Sequence, residues 1–346
     1  MNSKLIKKVQ WSAPSNIALV KYWGKWGEQL PQNPSLSFTL KHSLTTMSIE
    51  VYDLGAGEIE FIFEGKLHSQ FQGKIKKFTE SIEERFPWLK NHRFKIESSN
   101  TFPHSSGIAS SASSMSALCL CLLSIDEEIT GRVLEGDVFL QEASQLARLA
   151  SGSASRSVYK TMASWGESSA ILQSSNLYAS PFEGLHPIFQ DYCDSILIVD
   201  DKEKSVSSRA GHSLMENHPF RQVRFEVARE NMGHLVNALK SGELNDFIRI
   251  VEEEALTLHA LMMTSRPSYI LLRPESLFLM NEIKLFREKE QIPACFTIDA
   301  GPNIHLLYPK AHAGIIRHWI ETTLTQSIIG LKWIHDEVGA GPIRYR

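Results

Sequence analysis

Apolar and polar residues alternate, or β-rich residues cluster, over Leu36–Leu40, Thr45–Val51, Ile59–Phe63 and Phe94–Glu97, and this predicts strands there. Helical spacing takes over across Gly73–Arg85, Ser110–Leu123 and Phe139–Leu149. The helix expected from Ser110 is apolar on nearly every face through Met115–Leu123, so it belongs at the centre of a core. Ser195–Val199 reads as a fully buried strand. Beyond it come long amphipathic helices over Phe220–Lys240, Glu243–Met262 and Glu275–Glu290. Two short strands, Ala294–Ile298 and Ile304–Tyr308, flank the turn Asp299–Asn303. Strands and helices mix without a βαβ rhythm, which favours an α+β fold over a doubly wound sheet. The loop-like stretch at Leu185-His186-Pro187 sets the expected division near residue 190, giving parts 1–190 and 191–346.

A chain of 346 residues has room for two domains, and at 42% hydrophobic content it can form a core without disulfide or metal staples. The net charge of −3 supplies no general attraction for nucleic acid or an acidic membrane, so an anionic ligand must be held by local cations. Cys119, Cys121, Cys193 and Cys295 have no zinc-site spacing and read as free thiols in a reducing compartment. The N-terminus lacks a signal-peptide pattern, and no apolar run reaches the roughly 18 residues that span a bilayer. A soluble cytoplasmic protein is expected.

Five segments carry candidate chemistry. Pro103-His104-Ser105-Ser106-Gly107-Ile108-Ala109-Ser110-Ser111-Ala112-Ser113 is a small-residue loop entering the central helix. Its backbone N–H groups and the positive end of the helix dipole suit a phosphate, and its hydroxyls add donors or magnesium ligands. It is neither a Walker A loop nor a dinucleotide fingerprint, and taken alone a small-residue helix start is more often plain packing. In Ala13–Lys25, Lys21 follows the apolar run Ile17–Val20; it is either a solvated strand end or a cation at the mouth of a cleft, with Tyr22 and Lys25 ready for phosphate oxygens. Ser151-Gly152-Ser153-Ala154-Ser155-Arg156-Ser157 and Ser205–Gly211 each combine hydroxyls, one arginine and a glycine; each is an anion site or a plain polar loop. Asp299, where a strand meets a Gly-Pro turn, is a turn cap or a carboxylate aimed into a cleft. The histidines show no paired metal spacing, and none besides His104 is assigned a role.

Taken in order, NIALVKYWGK (16–25), FPHSSGIASSAS (102–113), SGSASRS (151–157), VSSRAG (206–211) and FTIDAGPN (296–303) resemble the GHMP kinase superfamily and, within it, the diphosphomevalonate decarboxylases. The resemblance runs from about Ala13 to the last strand. It departs from the family pattern at His104-Ser105-Ser106, at Ile108 and at Pro34, and leaves the charged residues intact. It implies two α+β parts with the active site in the cleft between them, often as a homodimer. It also implies ATP-dependent decarboxylation of 5-diphosphomevalonate to isopentenyl diphosphate, with Mg²⁺ accompanying the nucleotide. By the same resemblance Asp299, Lys21 and Arg156 are catalytic. Tyr22, Lys25, Ser151, Ser153, Ser208 and Arg209 hold the 5-diphosphate. Gly107, Ala109, Ser110, Ser111 and Ser105 line the ATP phosphates, and a serine of that loop is the candidate Mg²⁺ ligand.

The rival readings are a phosphomevalonate decarboxylase, a mevalonate 3-kinase that stops before decarboxylation, and a non-catalytic nucleotide-binding relative. The intact Asp299, Lys21 and Arg156 set argues against the last two.

Overall fold

The computed structural model describes residues 4–53, 55–103, 108–201 and 208–345, without the side chains of Ser208 and Arg209. The first half contains strands β1 (Leu5–Val20), β2 (Lys25–Trp26), β3 (Leu30–Pro31), β4 (Ser35–Tyr52), β5 (Ile59–Phe63) and β6 (Lys66–Leu67). Helix α1 (Ser69–Ser81), β7 (Arg93–Asn100), α2 (Ser110–Thr130) and α3 (Gly136–Ala150) follow. A 3-10 turn, Gly152–Val158, then leads to β8 (Met162–Trp165) and β9 (Ala179–Pro181). The second half runs β10 (Cys193–Ile198), α4 (Ser208–Ser213), α5 (Arg221–Ser241), α6 (Leu244–Thr264), α7 (Pro274–Glu290), β11 (Cys295–Thr297) and β12 (Ile304–Tyr308). Helix α8 (Ala313–Trp319), β13 (Lys332–Glu337) and β14 (Ile343–Tyr345) complete it. Among the described residues no helix is long and apolar enough to cross a membrane.

The larger sheet has the order β14-β1-β4-β7-β5-β6, with β8 on the first half of β4 and β9 beyond it. Only β5 and β7 pair in parallel among these strands. The smaller sheet, β11-β12-β10-β13, is antiparallel throughout. Helices α5, α6 and α7 lie between or beside these layers, giving the α+β architecture that the pattern predicts.

The two strands predicted at Leu36–Leu40 and Thr45–Val51 are one strand, β4. Lys41 and His42 interrupt its alternation because they are exposed, yet their backbone N–H groups both donate to Asp336 Oδ1, at 2.9 and 2.8 Å. Ser43 adds its N–H and hydroxyl to Oδ2, at 2.8 and 2.6 Å. A distant carboxylate thus carries the strand through a polar break. β1 has no counterpart among the predicted strands, since from Trp11 to Val20 every residue is buried and alternation disappears. Helix α1 begins earlier than predicted because the His68 ring accepts the Phe71 N–H at 3.2 Å and caps it there.

Helix α2 is buried without interruption from Ala112 to Asp126, the central position expected of it. One core packs α1, α2 and α3 against the larger sheet. Another mixes Ile17, Leu19, Val20, Leu36 and Phe38 with residues of α5, α6 and β10. A third lies between the smaller sheet, α7 and α8. The chain on either side of residue 190 therefore shares a continuous apolar contact, and β14 returns to pair with β1. That shared core fixes the end of β1 against α6, and the candidate site begins there.

Candidate active site

A cavity of about 920 Å³ opens where β1 ends. Lys21, Tyr22 and Lys25 enter it from the first motif, Ser151, Ser153 and Arg156 from the 3-10 turn, and Asp299 from the turn after β11. Ala109 and Ser111 line it at the start of α2. Residues from four of the five segments thus meet one space, which none of the segments required by itself.

Lys21 is 1% exposed, which disposes of a solvated strand end. Its ammonium donates to Asp299 Oδ1 at 2.8 Å, across 278 positions of sequence. Burial pulls the Lys21 pKa below its ordinary value, opposed by the charges of Asp299 and Glu254 and reinforced by that of Arg156. The lysine is therefore a desolvated cation whose protonation depends on its neighbours.

Arg156 is also buried, at 2% exposure, rather than the exposed arginine of a plain loop. Its Nη1 donates to Ser35 Oγ, and its Nε and Nη2 donate to Asn16 Oδ1 at 3.4 and 3.3 Å. Asn16 in turn donates to Ser153 O at 3.1 Å and to Ser157 Oγ at 2.7 Å, so the motif at β1 holds the 3-10 turn in place. Burial pulls the guanidinium down to about 10, still fully charged near neutrality. A planar cation held along one side and facing a cavity suits a carboxylate.

Tyr22 packs edge-on to Trp165, centroids 4.7 Å apart, and against the His212 ring at 4.4 Å. Burial raises its phenol pKa, so the hydroxyl remains a proton donor. Gly152 permits this approach: a Cβ there would lie 2.7 Å from the Trp165 ring and 3.1 Å from the Tyr22 hydroxyl. Lys25 donates to Gln29 Oε1 at 2.8 Å while lining the cavity.

The helix start fits an anion by its backbone. Ala109 takes the left-handed conformation (φ 42°, ψ 39°), and as the N-cap of α2 it offers no side-chain bond to the first N–H groups. Ser110 is not on the cavity wall; its carbonyl accepts the Ser113 and Ser114 hydroxyls at 3.2 and 2.5 Å. The reading of Ser113 as a phosphate or magnesium partner is corrected. It is fully buried and bonded to Thr45 Oγ1 at 2.6 Å, because its position on α2 faces β4. His104, Ser105, Ser106 and Gly107 lie outside the described residues, as do Ser205, Val206 and Ser207. Ser208 and Arg209 begin α4, and nothing is assigned to their side chains. Among the described residues no three His, Cys, Asp or Glu side chains gather as a metal site. A divalent ion here would be held largely by the phosphates it accompanies.

The first motif is matched, together with most of the chain, by known proteins. Residues 13–177 match the diphosphomevalonate decarboxylase-like N-terminal domain, and residues 195–339 match the mevalonate 5-diphosphate decarboxylase C-terminal domain. The diphosphomevalonate decarboxylase of Ganoderma lucidum is 30% identical over 325 residues, covering 87% of this chain and 78% of that protein. This chain belongs to the diphosphomevalonate decarboxylase family. The Candida albicans diphosphomevalonate decarboxylase is 27% identical, with 96% of each chain covered. Among solved structures, mevalonate diphosphate decarboxylase from Staphylococcus aureus superposes with a TM-score of 0.85 at 30% identity, covering 98% of each chain. A structure of MDDEF in complex with MVAPP, AMPPCP and magnesium gives a TM-score of 0.84 at 27% identity, covering 98% of this chain and 99% of that one.

Within this family member, several site residues escaped the sequence reading. Lys74 and Lys77 of α1 line the far wall of the cavity. Their helix was predicted, but nothing local marks which of its faces turns to a distant pocket. His212 carries no signal in the sequence. It lies between Tyr22 and Trp23, 4.4 and 4.5 Å from their ring centres, and its Nδ1 accepts the Gly24 N–H at 3.0 Å. That bond places the imidazole proton on Nε2. Burial, with a smaller contribution from Lys25, brings its pKa down to about 3, so the ring is a neutral donor on the cavity wall.

Proposed function

We propose that this chain catalyses the ATP-dependent decarboxylation of (R)-5-diphosphomevalonate to isopentenyl diphosphate, with ADP, phosphate and CO₂ as the other products. The observation that carries the reading is the buried Lys21–Asp299 pair, 2.8 Å apart, in one cavity with Arg156. Family relatives named for this reaction, and the MDDEF complex with MVAPP, AMPPCP and magnesium, support the same substrates for this chain.

The chemistry has two stages. The tertiary 3-hydroxyl attacks the γ-phosphorus of ATP, the bond from that phosphorus to the bridging oxygen breaks, and ADP leaves. Asp299 accepts the hydrogen bond, and then the proton, of a crowded and weakly nucleophilic alcohol. Lys21 stabilises the negative charge on the transferring phosphoryl group. The 3-phosphate then leaves with its C–O electron pair, and the C1–C2 pair becomes the new C2=C3 double bond as CO₂ departs. Arg156 orients the C1 carboxylate so that the breaking C1–C2 bond aligns with the leaving group. A carboxylate near C3 also favours any positive charge that develops there.

Tyr22, Lys25, Ser151 and Ser153, together with Ser208 and Arg209, hold the 5-diphosphate, and His212 adds a neutral N–H donor. The start of α2, with Ala109 and Ser111 on the cavity wall and the Ser110 backbone N–H between them, receives the ATP phosphates together with Ser105 and Gly107. Mg²⁺ accompanying the nucleotide would neutralise phosphate charge. The reading extends to a homodimer working in the cytoplasm, and light scattering on the purified protein checks its mass.

The deciding assay supplies ATP and Mg²⁺ with 5-diphosphomevalonate, its 5-monophosphate or mevalonate in turn. Equal yields of ADP, phosphate and CO₂ from the diphosphate alone are expected. ADP without CO₂ would make the protein a 3-kinase, and preference for the monophosphate would move the substrate assignment.

A further inference from the structure

The reaction uses the side chains of Lys21 and Asp299; what holds their backbones is a separate matter. β1 ends at Val20, so the peptide groups of Lys21 leave the sheet ladder inside the protein. Glu254 Oε2 accepts the Lys21 N–H at 2.8 Å. Arg224 Nη2 and Asn33 Nδ2 both donate to the Lys21 carbonyl at 2.9 Å. Arg224 and Glu254 bind each other through two contacts of 2.7 Å, with side chains 1% and 0% exposed, and Asn231 donates to Glu254 Oε1 at 2.9 Å. Five residues further along α6, His259 Nε2 donates to the Asp299 carbonyl at 3.1 Å. One helix therefore touches the backbone of both members of the ion pair.

A buried ion pair is a weak device for stability, because desolvation offsets most of its attraction. This one is spent on a lysine backbone. Burial by itself would raise the Glu254 carboxyl, and the charge and hydrogen bonds of Arg224 hold it below its ordinary value instead. Glu254 is thus an anion at neutral pH.

We propose that α6 is the positioning element of the active site, with Glu254 (locked by Arg224) setting the place and charge of Lys21, and His259 setting the place of Asp299. The proposal rests on the reading of Lys21 and Asp299 as the reacting pair. The charged groups facing Lys21 are Asp299 from the β11–β12 turn, Glu254 from α6, Arg156 from the 3-10 turn and Arg224 from α5, and the buried Asp194 of β10 is coupled to it electrostatically. Glu254→Gln removes one of these anions and leaves both arginines, so the ammonium loses its proton at lower pH. A role in stability alone would change the melting temperature and leave that titration in place.

The test compares Glu254→Gln, the apolar pair Arg224→Met with Glu254→Leu, and His259→Phe in the full-length protein. For Glu254→Gln we expect kcat about tenfold lower with KM within about threefold, and the alkaline limb of the kcat–pH profile moved down by about one pH unit. The apolar pair removes the acceptor of the buried Lys21 N–H and Asn231 amide, so it should melt several degrees below the wild type, while kcat falls about 30-fold or more. His259→Phe should lower kcat without moving the alkaline limb. Folded variants with kcat within twofold of wild type and an unmoved limb would overturn the proposal. If Glu254→Gln does not fold, the apolar pair and His259→Phe decide in the same terms. Lys21→Met separates the two claims: loss of turnover there with no loss in the α6 variants defeats only the positioning role, whereas turnover retained in Lys21→Met defeats the reading of the pair itself.

Discussion

Asp299→Asn preserves the size of the side chain and removes its charge, leaving Lys21 buried beside a neutral amide. Unit charges 2.8 Å apart attract by about 6 kcal/mol at an effective dielectric of 20. The carboxylate spreads its charge over two oxygens and Asp299 is 27% exposed, so about half of this, ~3 kcal/mol, is the working figure. That is about two pKa units at Lys21, in the direction burial already drives it. The sign for stability follows. A lysine whose folded pKa lies below its unfolded value costs stability in full below that folded pKa, and the cost is relieved as pH rises from the folded to the unfolded value. The variant carries the larger cost, so its melting temperature should lie about 4 °C below wild type at pH 7, with the gap narrowing towards pH 10. Loss of the proton acceptor should separately lower kcat by about 10³-fold with nucleotide affinity within about threefold. ADP-release kinetics, titration with a non-hydrolysable ATP analogue and melting curves from pH 6 to 10 measure the three quantities. Turnover within tenfold of wild type would refute the assignment of Asp299. A melting gap that stays constant with pH would refute the account of Lys21.

Arg156→Lys keeps a cation but loses the planar fork that Asn16 and Ser35 orient, and kcat/KM should fall about 10²-fold in steady-state assays. His212→Phe preserves the stack between Tyr22 and Trp23 and removes the N–H donor, so KM for the diphosphate should rise about tenfold with kcat within about threefold. The unfolded imidazole titrates near 6.5 and the folded one near 3, so wild-type stability falls as pH drops below 6.5. Melting of the phenylalanine variant should lack that part of the slope. Glu337, held by Lys310 and Lys41 at 2.7 and 2.5 Å, has its carboxyl pulled down to about 2 from 4.5. Its contribution is present above about pH 4.5 and lost as pH falls towards 2, so Glu337→Gln should lower Tm by about 2–4 °C at pH 7 and by little at pH 3.

How far the sequence can be read depends on whether the cause is local. Helix α2 was legible because its apolar residues run on every face, and α6 and α7 because their periodicity is sustained. β1 was not, because burial on both faces erases the alternation that marks a strand. The join within β4 was hidden for another reason: it depends on Asp336, nearly 300 positions away. The site divides in the same way. Small-residue loops, a lysine after an apolar run and an aspartate at a strand end are local signals, and they named the cavity wall at Lys21, Arg156 and Asp299. His212 carried no local signal, since a histidine in a polar stretch is unremarked until Gly24, Tyr22 and Trp23 are known to surround it. Glu254 and Arg224 looked like polar positions of two amphipathic helices; only the fold turns them inward to the end of β1.

β1 explains why these motifs need to be so far apart in the chain. Its residues, with Lys21 directly after its end, serve three partners in turn. Asn16 fixes the turn that carries Arg156, the Ala18 carbonyl accepts the Thr297 hydroxyl at 3.5 Å two residues before Asp299, and Lys21 meets Asp299 itself. Between them Ile17, Leu19 and Val20 enter the core shared with α5 and α6. The strand is thus a ruler against which a cation from the 3-10 turn and an anion from the β11–β12 turn are both set. Rigidity along it is supplied by apolar packing, which is cheap in a core, and polar groups are confined to the positions that need them. A change at Ile17 or Leu19 that loosened this packing would therefore disturb both partners at once, although neither residue touches the cavity.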